Sequence, residues 1–213
     1  MKRLRAEHPA LVHHCETQLV IRWRTGWERT SWGGWRRDGE FESPLAFLCG
    51  AESAEEQLFR EGLRVPFRHV LPPDALAEVT ADEAAGAGAM TGTARPTADA
   101  VEQTSPLAVR RVRDDVPLCI HLPCNGDKGF AWREKHFAEH LAAKEGIGSI
   151  IWEAPYMGQR RDGAKTVRGA QWDRVSDVVS VGTASVAEIL ALVLWARGSG
   201  MIREDQCDKG QTG

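Results

Sequence analysis

The sequence predicts an α/β protein built around a parallel βαβ unit, and three stretches of the chain support this. The apolar run from Leu118 to Leu122 has the length and composition of a buried strand. Residues 131–145 repeat apolar side chains at helical spacing, and "GSIIWEA" at 148–154 is a second apolar strand, which Pro155 stops. Strands joined in this way pair in parallel, almost always through a right-handed crossover.

Five segments of different composition follow one another along the chain. They are an irregular basic Trp/Arg segment (1–40), N-terminal strands with a short helix (41–72), a low-complexity insertion (73–106), the βαβ region with a long helix (107–200) and an atypical polar tail (201–213).

The N-terminal strands are predicted as an edge hairpin formed by "FESPLAFL" at 41–48 and "RVPFRHVL" at 64–71. Pro66 has no N–H to donate, which favours an edge position for the second strand. The insertion has too few large apolar side chains to offset its ordering entropy, so it is predicted to be flexible and disordered.

Two helices complete the βαβ region. Asp127 is a candidate cap for the first, and Gly146 ends it. Its predicted apolar face contains Phe130, Phe137, Ala138, Leu141 and Ala142.

The second helix is predicted over residues 173–197. Its apolar stripe contains Val175, Val178, Val179, Gly182, Val186, Ile189, Leu190, Val193 and Leu194. Glu188 is the single charge between residues 178 and 196. A membrane span is an alternative, but a central acid is costly in lipid, so packing against a sheet is favoured.

Charge and composition are those of a soluble globular protein. The net charge of −3 gives no overall attraction to nucleic acid, and no nucleic-acid partner is expected. Residues 1–37 carry eight Lys or Arg against three Glu, a charge of +5. An Arg-rich N-terminus is also compatible with a mitochondrial targeting peptide.

The cysteine pattern favours an intracellular, reducing compartment. Five cysteines at scattered positions do not form a disulfide framework. His136 and His140 have the i, i+4 spacing of a zinc pair, but Glu139 does not occupy the general-base position of a metalloprotease motif. Neither a metal site nor a cofactor site is predicted.

The N-terminal segment places Trp23, Trp27, Trp32 and Trp35 among arginines. Such a pattern suits cation–π stacking or contact with a membrane surface. The alternative, which is favoured, is a peripheral segment whose tryptophans pack onto a core.

The βαβ region resembles the alpha/beta-hydrolase domain-containing protein 18 family, a eukaryotic branch of the α/β-hydrolase superfamily. The resemblance covers residues 117–200, and it rests on a strand ending in His-Leu, a Trp-Arg helix start, a Glu-x-Pro-Tyr-x-Gly loop and a helix opening Val-Ser-Asp. The matching positions are His121, Leu122, Gly126, Asp127, Trp132, Arg133, Glu153, Pro155, Tyr156, Gly158, Arg160, Val175, Ser176 and Asp177.

The resemblance implies a partial α/β-hydrolase fold in which the loop after the first strand supplies part of an oxyanion hole. The candidates for this loop are His121, Cys124, Asn125, Gly126 and Asp127. The chain departs from the family pattern at Pro123, Cys124 and Asn125. A turn that caps the following helix is the alternative function for these residues.

The resemblance also implies a Gly-x-Ser-x-Gly nucleophile elbow, followed by an acid and a His. No Gly-x-Ser-x-Gly occurs in the sequence, and Ser185 in "GTASV" is predicted to lie within a helix. No catalytic residue is therefore assigned. We expect a truncated, inactive relative of ester hydrolases whose full-length members act on a carboxylic ester.

Two further expectations follow. A binding or regulatory module that uses the Trp/Arg segment is the alternative function. A sheet that ends at the strand Leu118–Leu122 would expose an open edge, through which copies of the chain could associate or aggregate.

Overall fold

The computed structural model describes residues 6–50, 63–78, 110–113, 115–123, 129–160 and 175–199. Within them a mixed β-sheet is covered by helices on both faces, which confirms the predicted α/β class. The strands are β1 (Arg22–Trp23), β2 (Glu28–Arg29), β3 (Trp35–Glu42), β4 (Arg64–Leu71), β5 (Leu76–Glu78), β6 (Arg110–Val112), β7 (Leu118–His121) and β8 (Gly148–Trp152). The helices are α1 (Pro9–Gln18), α2 (Leu45–Cys49), α3 (Ala131–Arg133), a π-helical segment (Glu134–Ala138), α4 (Glu139–Lys144), a 3-10 turn (Gly158–Arg160) and α5 (Val175–Gly198).

The main sheet has the order β1–β3–β4–β8–β7, and β2 also pairs with β3. Every pairing is antiparallel except β7–β8, which is parallel and places Ile120 beside Ile150. The helix between β7 and β8 completes the predicted βαβ unit. β5 and β6 form a separate two-stranded sheet.

β7 has one neighbour among the described strands, so it forms an edge of the main sheet. The sequence predicts a fully buried strand here, but all four residues of β7 are only partly buried. The difference arises because no strand covers the second side of β7 within the described residues.

The N-terminal region contains more regular structure than the predicted irregular segment. Residues 9–40 hold α1, β1, β2 and most of β3. The strand predicted at 41–48 is wrong in its bounds: β3 ends at Glu42, and α2 begins at Leu45. Pro44 explains the change, since it cannot continue a hydrogen-bonded ladder but suits the start of a helix.

The strand predicted around Pro66 is present as β4, but its predicted edge position is wrong. β4 lies between β3 and β8. Its ladder with β8 extends from Phe67 to Val70, and the Pro66 carbonyl accepts the N–H of Glu153 just beyond that ladder. Because the N and O atoms of one strand residue face the same side, the missing N–H of Pro66 falls where β8 has already ended.

The two faces of the sheet carry separate cores, as the alternation of side chains along a strand requires. On one face, Ile150 and Trp152 pack with Phe67 against α1 and α5. On the other face, Ile151 and Val70 pack against the helix that begins near Phe130.

The helix predicted at 131–145 is present, and Gly146 ends it with a φ of +66°. Its predicted apolar face is wrong at Phe137, which is 46% exposed, whereas Ala138 and Ala142 are buried. The π-helical segment inserts an extra residue into the helical turn, which rotates Phe137 away from the sheet.

The long helix α5 is present, but much of its predicted stripe faces away from the core. Val178, Val179 and Val186 are 48%, 65% and 70% exposed, respectively. The buried face carries Ala184, Ala187, Glu188 and Ala191, and it continues with Leu192 and Leu194 toward the end of the helix. The face of the helix on which a side chain lies therefore decides its burial, and hydropathy alone does not.

Within the described residues, Val178–Gly198 is long and apolar enough to cross a membrane by length and composition, with a mean hydropathy of 2.0. Glu188, in the middle of this helix, is fully buried against the sheet. A core helix accounts for both observations.

Three predicted segments fall largely or wholly outside the described residues. The insertion at 73–106 is described only up to Glu78, where β5 ends, and Arg113 donates its N–H to the Ala75 carbonyl just before β5. The short helix predicted before β4 and the polar tail at 201–213 also lie outside them.

Candidate functional site

The candidate site lies where β7 and β8 end. Because these strands are parallel, their carboxyl ends meet at one edge of the sheet, the position where open α/β sheets bind ligands. Buried charged side chains gather here: Arg133, Glu153, Arg160 and Glu188 are all at least nine-tenths buried.

Arg133 connects the two strand ends. Its Nη1 donates to the carbonyl oxygen of His121 at 2.9 Å and to that of Trp152 at 2.8 Å. Arg133 is therefore a positioning residue, which holds the last residue of β7 against the last residue of β8.

Glu153 organises the loop that follows β8. Its Oε2 accepts the N–H of Gln159 at 2.8 Å, so the chain folds back over the carboxylate. A Cβ atom on Gly158 would lie 2.3 Å from Oε1 of Glu153, and Gly158 has a φ of +50°. Only glycine fits both requirements without strain. Tyr156, at a φ of +62°, holds a backbone conformation that is uncommon for a bulky side chain.

Glu153 also approaches the beginning of α3. A Cβ on Gly129 would lie 3.3 Å from Oε1 of Glu153, and Gly129 has a φ of +124°. Gly129 is the first described residue after β7 and Pro123, and it therefore lies directly beside the Glu153 carboxylate.

Arg160 and Glu188 form a buried ion pair beneath the loop. Nη1 and Nη2 of Arg160 donate to the two oxygens of Glu188 at 2.7 and 2.9 Å. The indole N–H of Trp152 donates to the same carboxylate at 3.1 Å, and Arg160 also donates to the Glu153 carbonyl at 2.9 Å. The pair joins α5 to the end of β8.

This network was not predicted from the sequence, although one signal was present. Glu188 is the single charge in an otherwise apolar helix, which indicates a buried partner as readily as it argues against a membrane span. The partner lies 28 residues away in a loop, and nothing in the local pattern identifies it.

Of the five oxyanion-loop candidates, the structure describes one. His121 is the last residue of β7, and its Nε2 is 2.9 Å from the Ser149 Oγ. Burial and the positive charge of Arg133 lower the pKa of His121 below its ordinary value. The other four candidates, Cys124, Asn125, Gly126 and Asp127, lie outside the described residues.

The His121–Ser149 pair does not have the geometry of a nucleophile and its base. Ser149 is fully buried, so no substrate carbonyl can reach its Oγ. Cys119 lies two residues before His121 in β7 and opposite Ser149 in the ladder, and burial raises the pKa of its thiol, which disfavours the reactive thiolate.

A groove of about 660 Å³ opens at the same edge of the sheet, beside α1 and the end of β3. His14, Phe41, Phe47 and Arg64 are among its lining residues. The serine that lines it, Ser43, is buried, and its Oγ accepts the N–H of Leu45 at 3.4 Å. The groove therefore offers no activated hydroxyl.

Within the described ranges, no group of three or more His, Cys, Asp or Glu side chains could hold a metal ion. His136 and His140 are both exposed on the surface of the helix.

The tryptophans of the N-terminal segment lie at the protein surface, where Trp23 is 36% exposed and Trp27, Trp32 and Trp35 are partly buried. The guanidinium carbon of Arg37 lies 3.3 Å from the ring centroid of Trp23 and 4.1 Å from that of Trp27. Arg29 stacks on Trp35 at 4.6 Å, and Trp32 packs beside the core that contains Phe130.

Comparison with protein families places the described site inside a known domain. The family model described as "Alpha/beta hydrolase domain containing 18" matches residues 97–202, a range that contains β7, β8, α5 and all four buried charges. No curated protein and no solved structure matches the chain.

Proposed function

Since the chain belongs to the alpha/beta hydrolase domain containing 18 family, we propose that it is a hydrolase-like protein that forms the oxyanion-loop half of an acyl hydrolase fold and has no ester hydrolase activity of its own. The observation that carries the proposal is the absence of any Gly-x-Ser-x-Gly from the sequence. In α/β-hydrolases this motif supplies the nucleophile.

The sheet supports the same conclusion. β3, β4, β8 and β7 are neighbours in that order, and the last pair is parallel. The carboxyl edge of this pair carries His121, the one described loop candidate, and the buried charges. The described serines near that edge, Ser43 and Ser149, are buried, so neither offers a nucleophile to a substrate carbonyl.

Ser185 does not change this assignment. It lies in the middle of α5, where the backbone is regular helix. A nucleophile elbow requires a sharp turn between a strand and a helix, which exposes the hydroxyl.

A fluorophosphonate probe tests the proposal directly, because it labels serines that a neighbouring base activates. We expect the folded chain to be labelled no more than the same chain after heat denaturation, while an active serine esterase in the same tube is labelled fully. Stoichiometric labelling of one serine in the folded chain, lost after its substitution by Ala, would overturn the proposal.

The second proposal concerns the open edge of the sheet. β7 pairs on one side only among the described strands, and Leu122, just beyond it, is 59% exposed. An unpaired apolar strand favours pairing with another strand, and a second copy of this chain offers the same edge.

Light scattering of the purified chain across a concentration series tests this association. Leu122→Lys is expected to shift the protein toward monomer, because a charge beside the edge opposes strand pairing. The control is Val20→Lys, at a site that is 66% exposed before β1. An identical response of both variants would contradict association through β7.

A binding module that uses the Trp/Arg segment is the third candidate. The observation in its favour is the arginine held between Trp23 and Trp27.

A further inference from the structure

Arg37 is held between two aromatic planes on the sheet face that α5 covers. Its guanidinium carbon lies 3.3 Å from the Trp23 ring centroid and 4.1 Å from that of Trp27. Both distances are those of cation–π contacts, so the two rings restrain the guanidinium group from two positions and leave its N–H groups available for hydrogen bonds. A planar guanidinium bound in this way presents N–H donors in a fixed fork that matches the oxygens of an anion.

Arg37 has no carboxylate partner within the part of the chain that the structure describes. Its neighbour Asp38 accepts two hydrogen bonds from Arg68 at 2.7 and 2.8 Å. Glu28, from the adjacent strand, pairs with Arg36 at 3.3 Å. The acids that flank Arg37 in the sequence and in the sheet therefore neutralise other arginines.

Arg37 Nε itself is buried without an acceptor among the described residues. A buried N–H donor without an acceptor is rare in native proteins and destabilising.

His69 lies opposite Arg37 in the β3–β4 ladder and shares its face of the sheet. It is fully buried, and neither ring nitrogen has a hydrogen-bond partner among the described residues. The rings of Trp27 and Trp195 lie 5.2 and 6.4 Å from the His69 ring. The cluster therefore contains two neighbouring polar side chains, each with a buried N–H donor that has no acceptor among the described residues.

The electrostatics of the cluster agree with its geometry. Burial lowers the pKa of Arg37 to about 9. Burial and the charge of Arg37 together lower the pKa of His69 well below its ordinary value. A positive charge that is removed from water without a counterion is destabilising, and a bound anion would supply that counterion.

We propose that Arg37, Trp23, Trp27 and His69 form an anion site that binds the oxyanion group of a small ligand, either a carboxylate or a phosphate. The oxygens accept hydrogen bonds from the edge of the Arg37 guanidinium, and the neutral His69 ring supplies one further N–H. The two indole rings hold the guanidinium in position and exclude water. The site gives a ligand class to the binding module formed by the Trp/Arg segment, the third candidate function above. It does not depend on the proposal that the chain lacks esterase activity.

The chain contains a matched control for this site. Arg29 also stacks on a tryptophan, Trp35, at 4.6 Å, but only one ring contacts it, and it is exposed to solvent. A general effect of salt on Trp–Arg pairs would affect both arginines, whereas a built anion site would affect Arg37 alone.

The experiment uses the full chain. Sodium phosphate or sodium acetate is added at constant ionic strength, with sodium chloride as the balancing salt, while tryptophan fluorescence and the thermal midpoint are recorded. We expect a saturable fluorescence change and a rise in midpoint, because an anion that binds only the folded state stabilises it. In Arg37→Gln the apparent affinity should fall by about 10-fold or more, since charge-assisted hydrogen bonds are lost. Arg29→Gln should retain the wild-type affinity.

The arms of the experiment distinguish the two ligand sources. A response to phosphate alone assigns a phosphate ligand, and a response to acetate alone assigns a carboxylate; either supports the site. If Arg37→Gln does not fold, Arg37→Lys replaces it, which keeps the charge but loses the fork, and weaker binding is expected. No response of the wild-type chain to either anion, or equal responses in the Arg37 and Arg29 variants, would overturn the proposal.

Discussion

Arg160 and Glu188 face each other across two charge-assisted hydrogen bonds, of 2.7 and 2.9 Å, in a part of the core from which water is excluded. One residue belongs to the loop after β8 and the other to the middle of α5. The pair therefore holds the candidate site against the helix beneath it.

Breaking this pair from one side should be more damaging than removing it from both. Arg160→Met leaves a buried carboxylate without its counterion, and Glu188→Gln leaves a buried guanidinium, so each should cost about 3–5 kcal/mol of unfolding free energy. Glu188→Gln retains an oxygen for the Trp152 indole. Urea denaturation of the two single variants and the double variant measures the coupling, and we expect the double variant to be destabilised by much less than the sum. Additive effects would contradict a direct pair.

Gly158 should be intolerant of any side chain. Gly158→Ala brings a Cβ onto the Glu153 carboxylate and leaves a positive φ that alanine disfavours. We expect a loss of about 2 kcal/mol or more in unfolding free energy. Gly182→Ala is the control, because beyond the neighbouring backbone of α5 itself no atom lies within 4 Å of the Cβ position. That variant should be stabilised by about 0.5–1 kcal/mol, and a loss there as large as at Gly158 would contradict the structure.

Two adjacent positions on α5 should respond very differently to the same added charge. Val186 is 70% exposed, so Val186→Glu should change the unfolding free energy by no more than about 0.5 kcal/mol. Ala187 is buried against the sheet, and Ala187→Glu should cost about 3 kcal/mol or more, because a carboxylate would be buried without a partner. Thermal denaturation by circular dichroism distinguishes the two. The reverse order would mean that the predicted apolar stripe does face the core.

His69 should make the fold sensitive to acid. Its pKa is lowered in the folded state, whereas in the unfolded chain it is near the ordinary value of about 6.5. Below that pH the unfolded state binds a proton that the folded state does not, so stability is fully present above about pH 6.5 and declines as the pH falls. Arg37 faces the same ring and strengthens the effect.

Replacing His69 by Leu tests this sensitivity. His69→Leu should raise the unfolding free energy at pH 7.5 by about 1 kcal/mol, since a buried polar ring without partners is removed. It should also flatten the decline between pH 6.5 and 5. Urea denaturation of both proteins at pH 7.5, 6.5 and 5 checks both statements. If the unfolding free energy of His69→Leu declines with falling pH as steeply as that of the wild-type chain, the assignment to His69 is contradicted.

The sequence predicted the βαβ unit well because local signals and packing agree there. The apolar run of β8 and the terminator Gly146 are readable from residue type alone, and the family resemblance at Glu153, Gly158 and Arg160 identifies the loop that carries the buried charges. None of these signals indicates which partners the charges take. The Arg160–Glu188 pair depends on the tertiary placement of α5, which hydropathy does not encode.

The errors share a physical cause. The 3.6-residue periodicity predicts Phe137 in the core, but a π-helical segment shifts the phase of the helix at that position. Hydropathy predicts Val186 in the core, but Ala184 and Ala187 occupy the buried face. The missing N–H of Pro66 predicts an edge strand, but Pro66 lies beyond the end of the neighbouring ladder. In each case local geometry outweighs an average tendency.

The outward-facing valines of α5 also have a practical consequence for handling the protein. A row of branched aliphatic groups directed at solvent should bind hydrophobic-interaction resins. Salts that are excluded from protein surfaces, such as ammonium sulfate, strengthen apolar association. We therefore expect this chain to precipitate at a low concentration of ammonium sulfate. Val186→Glu should elute sooner from a phenyl column than the wild-type chain and should unfold at the same temperature. The hydrophobicity of this surface can therefore be changed without altering the core.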